Sequence, residues 1–134
     1  MNTNTSKATR HQAVFIGALR EFSRASNDIL RQHEITPKQY QALLAIGTAE
    51  SDKYLSMNDL AATLDVRHNS AVGLINRLEA AGLVRRQRTP TDRRVASLSL
   101  TERGTETLEK LSDAHNAGLK RIAPAIHGAT AATI

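Results

Sequence analysis

The hydrophobic pattern of this chain changes period once, and that change limits the fold more than any other feature. Over most of the length, apolar residues recur every three or four positions, as on one face of a helix. In "LVRRQRTPTDRRVASLSLT", residues 83–101, the period falls to two: Ala96, Leu98 and Leu100 alternate with Val95, Ser97 and Ser99 behind a Thr-Pro-Thr-Asp turn. Period-two alternation around a turn predicts a β-hairpin. Arg85, Arg86 and Arg88 stand on one side of that turn and Arg93 and Arg94 on the other. Like charges this close repel, so something outside the chain is expected to compensate them.

The flanking segments read as helices. From Arg10 to His33, Phe15, Leu19, Phe22 and Ile29 form an apolar stripe, with Val14, Ala18 and Ala25 beside it. "ITPKQYQALLAIG" starts a second helix, with Thr36 as N-cap, Pro37 at the first helical position, Gln39 completing a capping box and Gly47 as a stop. Ser56 caps a third helix with Asp59 three residues on, and Leu60, Ala61 and Leu64 share one face. After "DVRHN", Ala71, Leu74, Ile75 and Leu78 form the next stripe, and Gly82 stands where a helix ends. Two short helices joined by a tight turn make a helix-turn-helix. Followed directly by a hairpin, they make a winged helix whose wing is rich in arginine. Thr101 and Glu102 open a long last helix with Leu108, Leu111, His115, Leu119 and Ile122 along one side. The tail from Pro124 is left unassigned. The expected class is mainly α with a small β-hairpin wing (α+β), in one domain over 1–134.

Charge is concentrated in the same region. The formal net charge is +5, and residues 1–66 and 104–134 each balance to zero. Residues 67–103 hold Arg67, Arg77, Arg85, Arg86, Arg88, Arg93, Arg94 and Arg103 against Glu79, Asp92 and Glu102. The planar guanidinium fork suits phosphates and guanine edges, so the expected partner is a polyanion. The chain has no cysteine, which excludes disulfides, thiolate metal sites and thiol redox sensing. No membrane-spanning run or signal-peptide core is visible, so a cytoplasmic protein without a membrane partner is expected. No nucleophile-elbow, zincin, P-loop or dinucleotide motif is present, and catalysis is not expected. The histidines His11, His33, His115 and His127 form no in-helix metal pair, so neither a metal site nor a cofactor is expected.

From about residue 10 to 122 the chain resembles the MarR family of bacterial transcriptional regulators. The motifs that carry the resemblance are "RLEAAGLV" and the wing pattern D-x-R followed by L-x-L-T, here Asp92, Arg94, Leu98, Leu100 and Thr101. The resemblance implies a DNA-binding core over 36–101 and a homodimer built by residues 10–33 and 102–134. It also implies a pseudo-palindromic operator in double-stranded DNA, repression, and release by a small phenolic or aromatic effector. Two departures stand out. Few residues follow the fifth helix, so the family's final helix is expected to be short or absent. Gly73 occupies a mid-helix position where polar or basic side chains are common in relatives.

The helix starting near Arg67 is expected in the major groove, with Arg67, His68, Asn69 and Ser70 at base edges. The alternative for Asn69 or Ser70 is a helix cap. Arg77 is expected on the DNA backbone or bracing the wing. The resemblance puts Arg94 in a minor groove, with Asp92 holding the turn and orienting it; Asp92 as a simple turn-former is the alternative. Arg85, Arg86, Arg88 and Arg93 are expected to position phosphates, or else to form a solvated strand face. Arg20, Tyr40 and His115 are conceivable effector contacts, with core packing the expected role of Phe15 and Phe22. The competing function is an architectural or protein-interaction winged helix that does not read sequence.

Overall fold

Side-chain caps decide where the first three helices begin. Ser6 accepts from the Thr9 N–H at 3.1 Å and starts α1 (Lys7–Gln32). Thr36 accepts from the Gln39 N–H at 3.1 Å while Gln39 Oε1 accepts from the Thr36 N–H at 2.9 Å, starting α2 (Pro37–Gly47). Ser56 and Asp59 repeat the reciprocal pair at 3.1 and 3.0 Å before α3 (Met57–Leu64). Each pair satisfies two N–H groups that the first helical turn would otherwise orphan. Then follow α4 (His68–Ala80), β1 (Val84–Arg88), β2 (Ala96–Leu100) and α5 (Glu102–Thr133). The computed structural model describes residues 5–50, 55–88 and 96–133, with side chains through residue 131.

The chain divides into two units, one from Glu34 to Leu111 and the other comprising the segments before and after it. In the central unit, α2, α3 and α4 bury Leu43, Leu60 and Ile75 with no exposed surface. Each such side chain contributes roughly 1.5–3 kcal/mol relative to an exposed one. The hairpin closes this core. β1 and β2 are antiparallel with Val84 opposite Leu100, Arg86 opposite Leu98 and Arg88 opposite Ala96. On the outer side of β2 the Leu98 N–H donates to the Leu55 carbonyl at 2.8 Å, which covers part of that edge. The expected polar–apolar alternation is incomplete, because Ser97 is buried beside Leu98. Its hydroxyl donates to the Gln87 carbonyl at 3.2 Å, so burial leaves no unmade hydrogen bond.

Two glycines set the joints on either side of the hairpin. Gly82 takes φ 77°, the left-handed conformation that turns α4 into β1. Gly104, in the first turn of α5, lies so close to the Leu83 carbonyl that a Cβ would collide with backbone. Thr101 ties the same joint: its Oγ1 donates to the Gly82 carbonyl at 2.6 Å and accepts from the Gly104 N–H at 3.0 Å.

In the second unit α1 and the later part of α5 run antiparallel, with His11 near Gly128 and Ser26 bonded to His115. The stripe read from sequence is shifted by one residue here. Gly118 faces Phe22, whereas Leu119 is 47% exposed. Positions 111, 115, 118 and 122 keep the three-and-four spacing of one helix face, and 119 falls off it. The tail is helical: α5 passes through Pro124 and continues to Thr133. Pro124 removes one helical N–H, the donor that would meet the Lys120 carbonyl.

Candidate nucleic-acid interface

α4 has two sharply different faces. Ala71, Leu74, Ile75 and Leu78 are buried in the core, while Arg67, His68, Asn69, Ser70, Asn76 and Arg77 are exposed. All five residues expected at DNA on this element are exposed: Arg67, His68, Asn69 and Ser70 form the open N-terminal turn, and Arg77 lies on the outward side further along. Arg67 is the N-cap, and its side chain makes no capping hydrogen bond. Asn69 and Ser70 lie inside the first turn, which overturns the reading of either as the cap. With no acidic residue in that turn, the partial positive charge of the helix start is unopposed from within α4.

A side-chain bond between the two helices of the helix-turn-helix orients His68. Its Nδ1–H donates to Asn58 Oδ1 of α3 at 2.9 Å. With the proton on Nδ1, the neutral ring keeps Nε2 as an acceptor, which complements an exocyclic amine of adenine or cytosine. The turn before α4 is itself held by Asp65 in a left-handed conformation, φ 53°, with the Val66 N–H donating to the Ala61 carbonyl at 3.0 Å.

On the hairpin, strand period decides which arginines face outward. Val84 and Arg86 share the face toward α4, and Arg85 projects from the opposite, exposed face. Arg86 is partly buried. Its Nη2 donates to Asn76 Oδ1, and its Nε lies 3.3 Å from Glu79 Oε1, both partners being on α4. This engagement is internal, unlike the free phosphate contact expected of it. Arg88 is exposed at the end of β1. Asp92, Arg93 and Arg94 lie outside the described residues. Asn58, Asn76 and Glu79 do not stand out in the sequence, yet each supports a residue that does. The available signal is positional: Asn76 and Glu79 lie three apart on α4, within one helix face.

Of the three effector candidates, Arg20 and His115 belong to one unit and Tyr40 to the other. Arg20 lines a cavity of about 740 Å³ between α1 and α5, together with His11, Arg24 and Arg121. His115, in the same unit, is buried, with Nε2 2.7 Å from Ser26 Oγ and its ring tilted against Phe22 at 5.9 Å. Tyr40 belongs to the central unit, packed against the core, and burial raises its phenol above the ordinary 10.0. Among the described residues no group of three or more His, Cys, Asp or Glu converges as a metal site would. None of their helices is long and apolar enough to cross a membrane.

Three capped or turn-bound helices, the last with an exposed polar face, followed by a hairpin packed on it, define a winged helix-turn-helix protein. Residues 33–95 match the family model described as "MarR family". An HTH-type transcriptional regulator, TtmR, of Methylorubrum extorquens is 37% identical over 92 residues, covering 69% of this chain and 45% of that protein. AbsC, a MarR family transcriptional regulator from Streptomyces coelicolor, superposes with a TM-score of 0.72 at 26% identity, covering 94% of this chain and 84% of that one. A point mutant of S. aureus MepR, solved bound to an oligodeoxyribonucleotide, shares the fold with a TM-score of 0.71 at 22% identity, over 84% and 81% of the two chains. The chain belongs to the MarR family. It spans about half the length of the curated relatives it matches.

Proposed function

We propose that the protein is a sequence-specific, double-stranded-DNA-binding transcriptional regulator without catalytic activity, acting as a homodimer on a pseudo-palindromic operator. The observation that carries this reading is the exposure pattern of α4: its inner face is committed to the core, while the N-terminal turn, Arg67, His68, Asn69 and Ser70, and Arg77 further along are exposed. Family membership and the DNA-bound relative of the same fold support it. Phosphates then offset the repulsion within the arginine block, with Arg94 in a minor groove and Asp92 orienting it. Repression, and release by a small aromatic or phenolic effector, complete the reading; the cavity beside Arg20 offers apolar walls together with the polar groups of Glu21, Arg24 and Arg121 for such a molecule.

The dimer is supported by where apolar surface remains. Among the described residues the exposed large hydrophobics are Val14, Ile16, Leu19, Leu119 and Ile126, all on α1 or the later part of α5. Apolar surface gathered in one unit marks an interaction site.

The test is selection from random or genomic duplexes with purified protein, at physiological salt and with competitor DNA. One enriched pseudo-palindrome, bound ~10³-fold or more over random sequence, is expected. Salt-sensitive binding with no enriched sequence would overturn sequence reading in favour of an architectural role. Arg94→Ala should weaken binding to the recovered duplex by ~1–3 kcal/mol with the fold intact; unchanged affinity would remove the wing role.

A further inference from the structure

Arg86 poses a problem for a purely electrostatic wing. It is one of the block of arginines expected at phosphates, yet its side chain is turned inward and 29% exposed. Its Nε is buried, close to Glu79 Oε1 but without an aligned hydrogen bond. Its Nη2 donates to Asn76 Oδ1. Both partners stand on α4, three residues apart, so one guanidinium spans nearly a turn of that helix. At the other end, Arg86 is fixed in β1 opposite Leu98, a buried residue bonded on its far side to Leu55. The planar fork makes this possible; an ammonium group has no fixed geometry that reaches two acceptors at once. Glu79 is also the one acidic residue on α4, and its charge is spent on Arg86 rather than left to repel a polyanion.

We propose that Arg86 is a positioning residue: with Asn76 and Glu79 it locks the wing to the recognition helix, so that the two elements meet DNA as one rigid reader. The inference rests on the DNA-reading function proposed above. A wing and helix that swing independently each find a groove at the cost of ordering the other, and this weakens specific binding only. Non-specific binding needs no fixed angle between them, because backbone phosphates are everywhere. The clamp therefore acts on the ratio of specific to non-specific affinity, and Arg86 adds little to the count of phosphate contacts.

Three variants separate these roles: Glu79→Gln, Arg86→Lys and Arg86→Met. Each is measured against the duplex recovered by selection and a scrambled duplex of equal length, over a salt series, with thermal melts to establish that each is folded. Glu79→Gln and Arg86→Lys retain the basic charge and should lower the specific-to-scrambled ratio about tenfold. Arg86→Met should do the same while leaving the salt slope on scrambled DNA unchanged. A fall in that slope of about 0.9 would make Arg86 a phosphate contact and overturn the clamp. A loss of stability alone would reduce the active fraction equally on both duplexes, and an unchanged ratio would also overturn it. Wild-type protein that fails to distinguish the duplexes would remove the DNA-reading function and the inference together. Wild-type discrimination with undiminished ratios in all three variants would remove the inference alone.

Discussion

Gly73 stands in the middle of α4 with nothing within 4 Å of where a Cβ would sit. No internal contact demands a glycine there, so Gly73→Ala should raise unfolding free energy by ~0.5–1 kcal/mol, read from the shift in urea midpoint. Gly104 is the opposite case. Its Cβ position is occupied by the Leu83 backbone, and Gly104→Ala should lower stability by ~1–3 kcal/mol in the same assay. Tyr40 carries a pH signature. Burial favours its neutral phenol and raises the folded pKa above the unfolded value of 10.0. The stability this contributes is fully present below pH 10.0 and falls as pH rises through the folded pKa, since over that window the folded state binds more protons. Melting temperature above pH 10 should therefore change with a different slope in Tyr40→Phe than in the parent, and equal slopes would remove the effect.

The starts of α2 and α3 are where sequence and structure agree best. The Thr36–Gln39 and Ser56–Asp59 pairs are readable because a capping box is a local code, fixed by residue type at a spacing of three. Thr36→Ala and Ser56→Ala should each cost ~1 kcal/mol, and because the sites are separate their effects should add in the double variant. The hairpin is readable for the same reason, since strand period and turn chemistry are local. What is not legible depends on meetings between elements. Nothing adjacent to Arg86 in sequence announces that Asn76 and Glu79 will claim it. Likewise, Asn58 can be paired with His68 only once α3 and α4 are folded against each other. Leu119 is misplaced by periodicity because a seven-residue stripe admits either 118 or 119, and the contact with Phe22 selects the glycine. The tail from Pro124 has no assignment from sequence, and the helix bears the loss of one donor there and goes on to Thr133. The outward side of α4 is legible as a set of residues, while the internal bonds that orient them are not.

For the molecule as a whole, the proposed function assigns DNA reading to one of the two units and dimer assembly to the other. The proposed dimer predicts that Ile16→Glu, on the exposed apolar surface of α1, raises the dimer dissociation constant about tenfold or more in sedimentation equilibrium. The central unit should keep its thermal transition, and a variant still fully dimeric would place the interface elsewhere. The same division has a consequence for how the protein is made. The central unit is one uninterrupted stretch, Glu34 to Leu111, and its strand pairing and helix packing are complete once that stretch is synthesised. The other unit joins Met1–His33 to Ser112–Ile134. On the ribosome α1 therefore emerges before the central unit and waits for its partner, its Phe22 and Ser26 without Gly118 and His115 until the final helix appears. An early part of the nascent chain thus completes its packing within this unit only after the central unit and the first half of α5 have been synthesised.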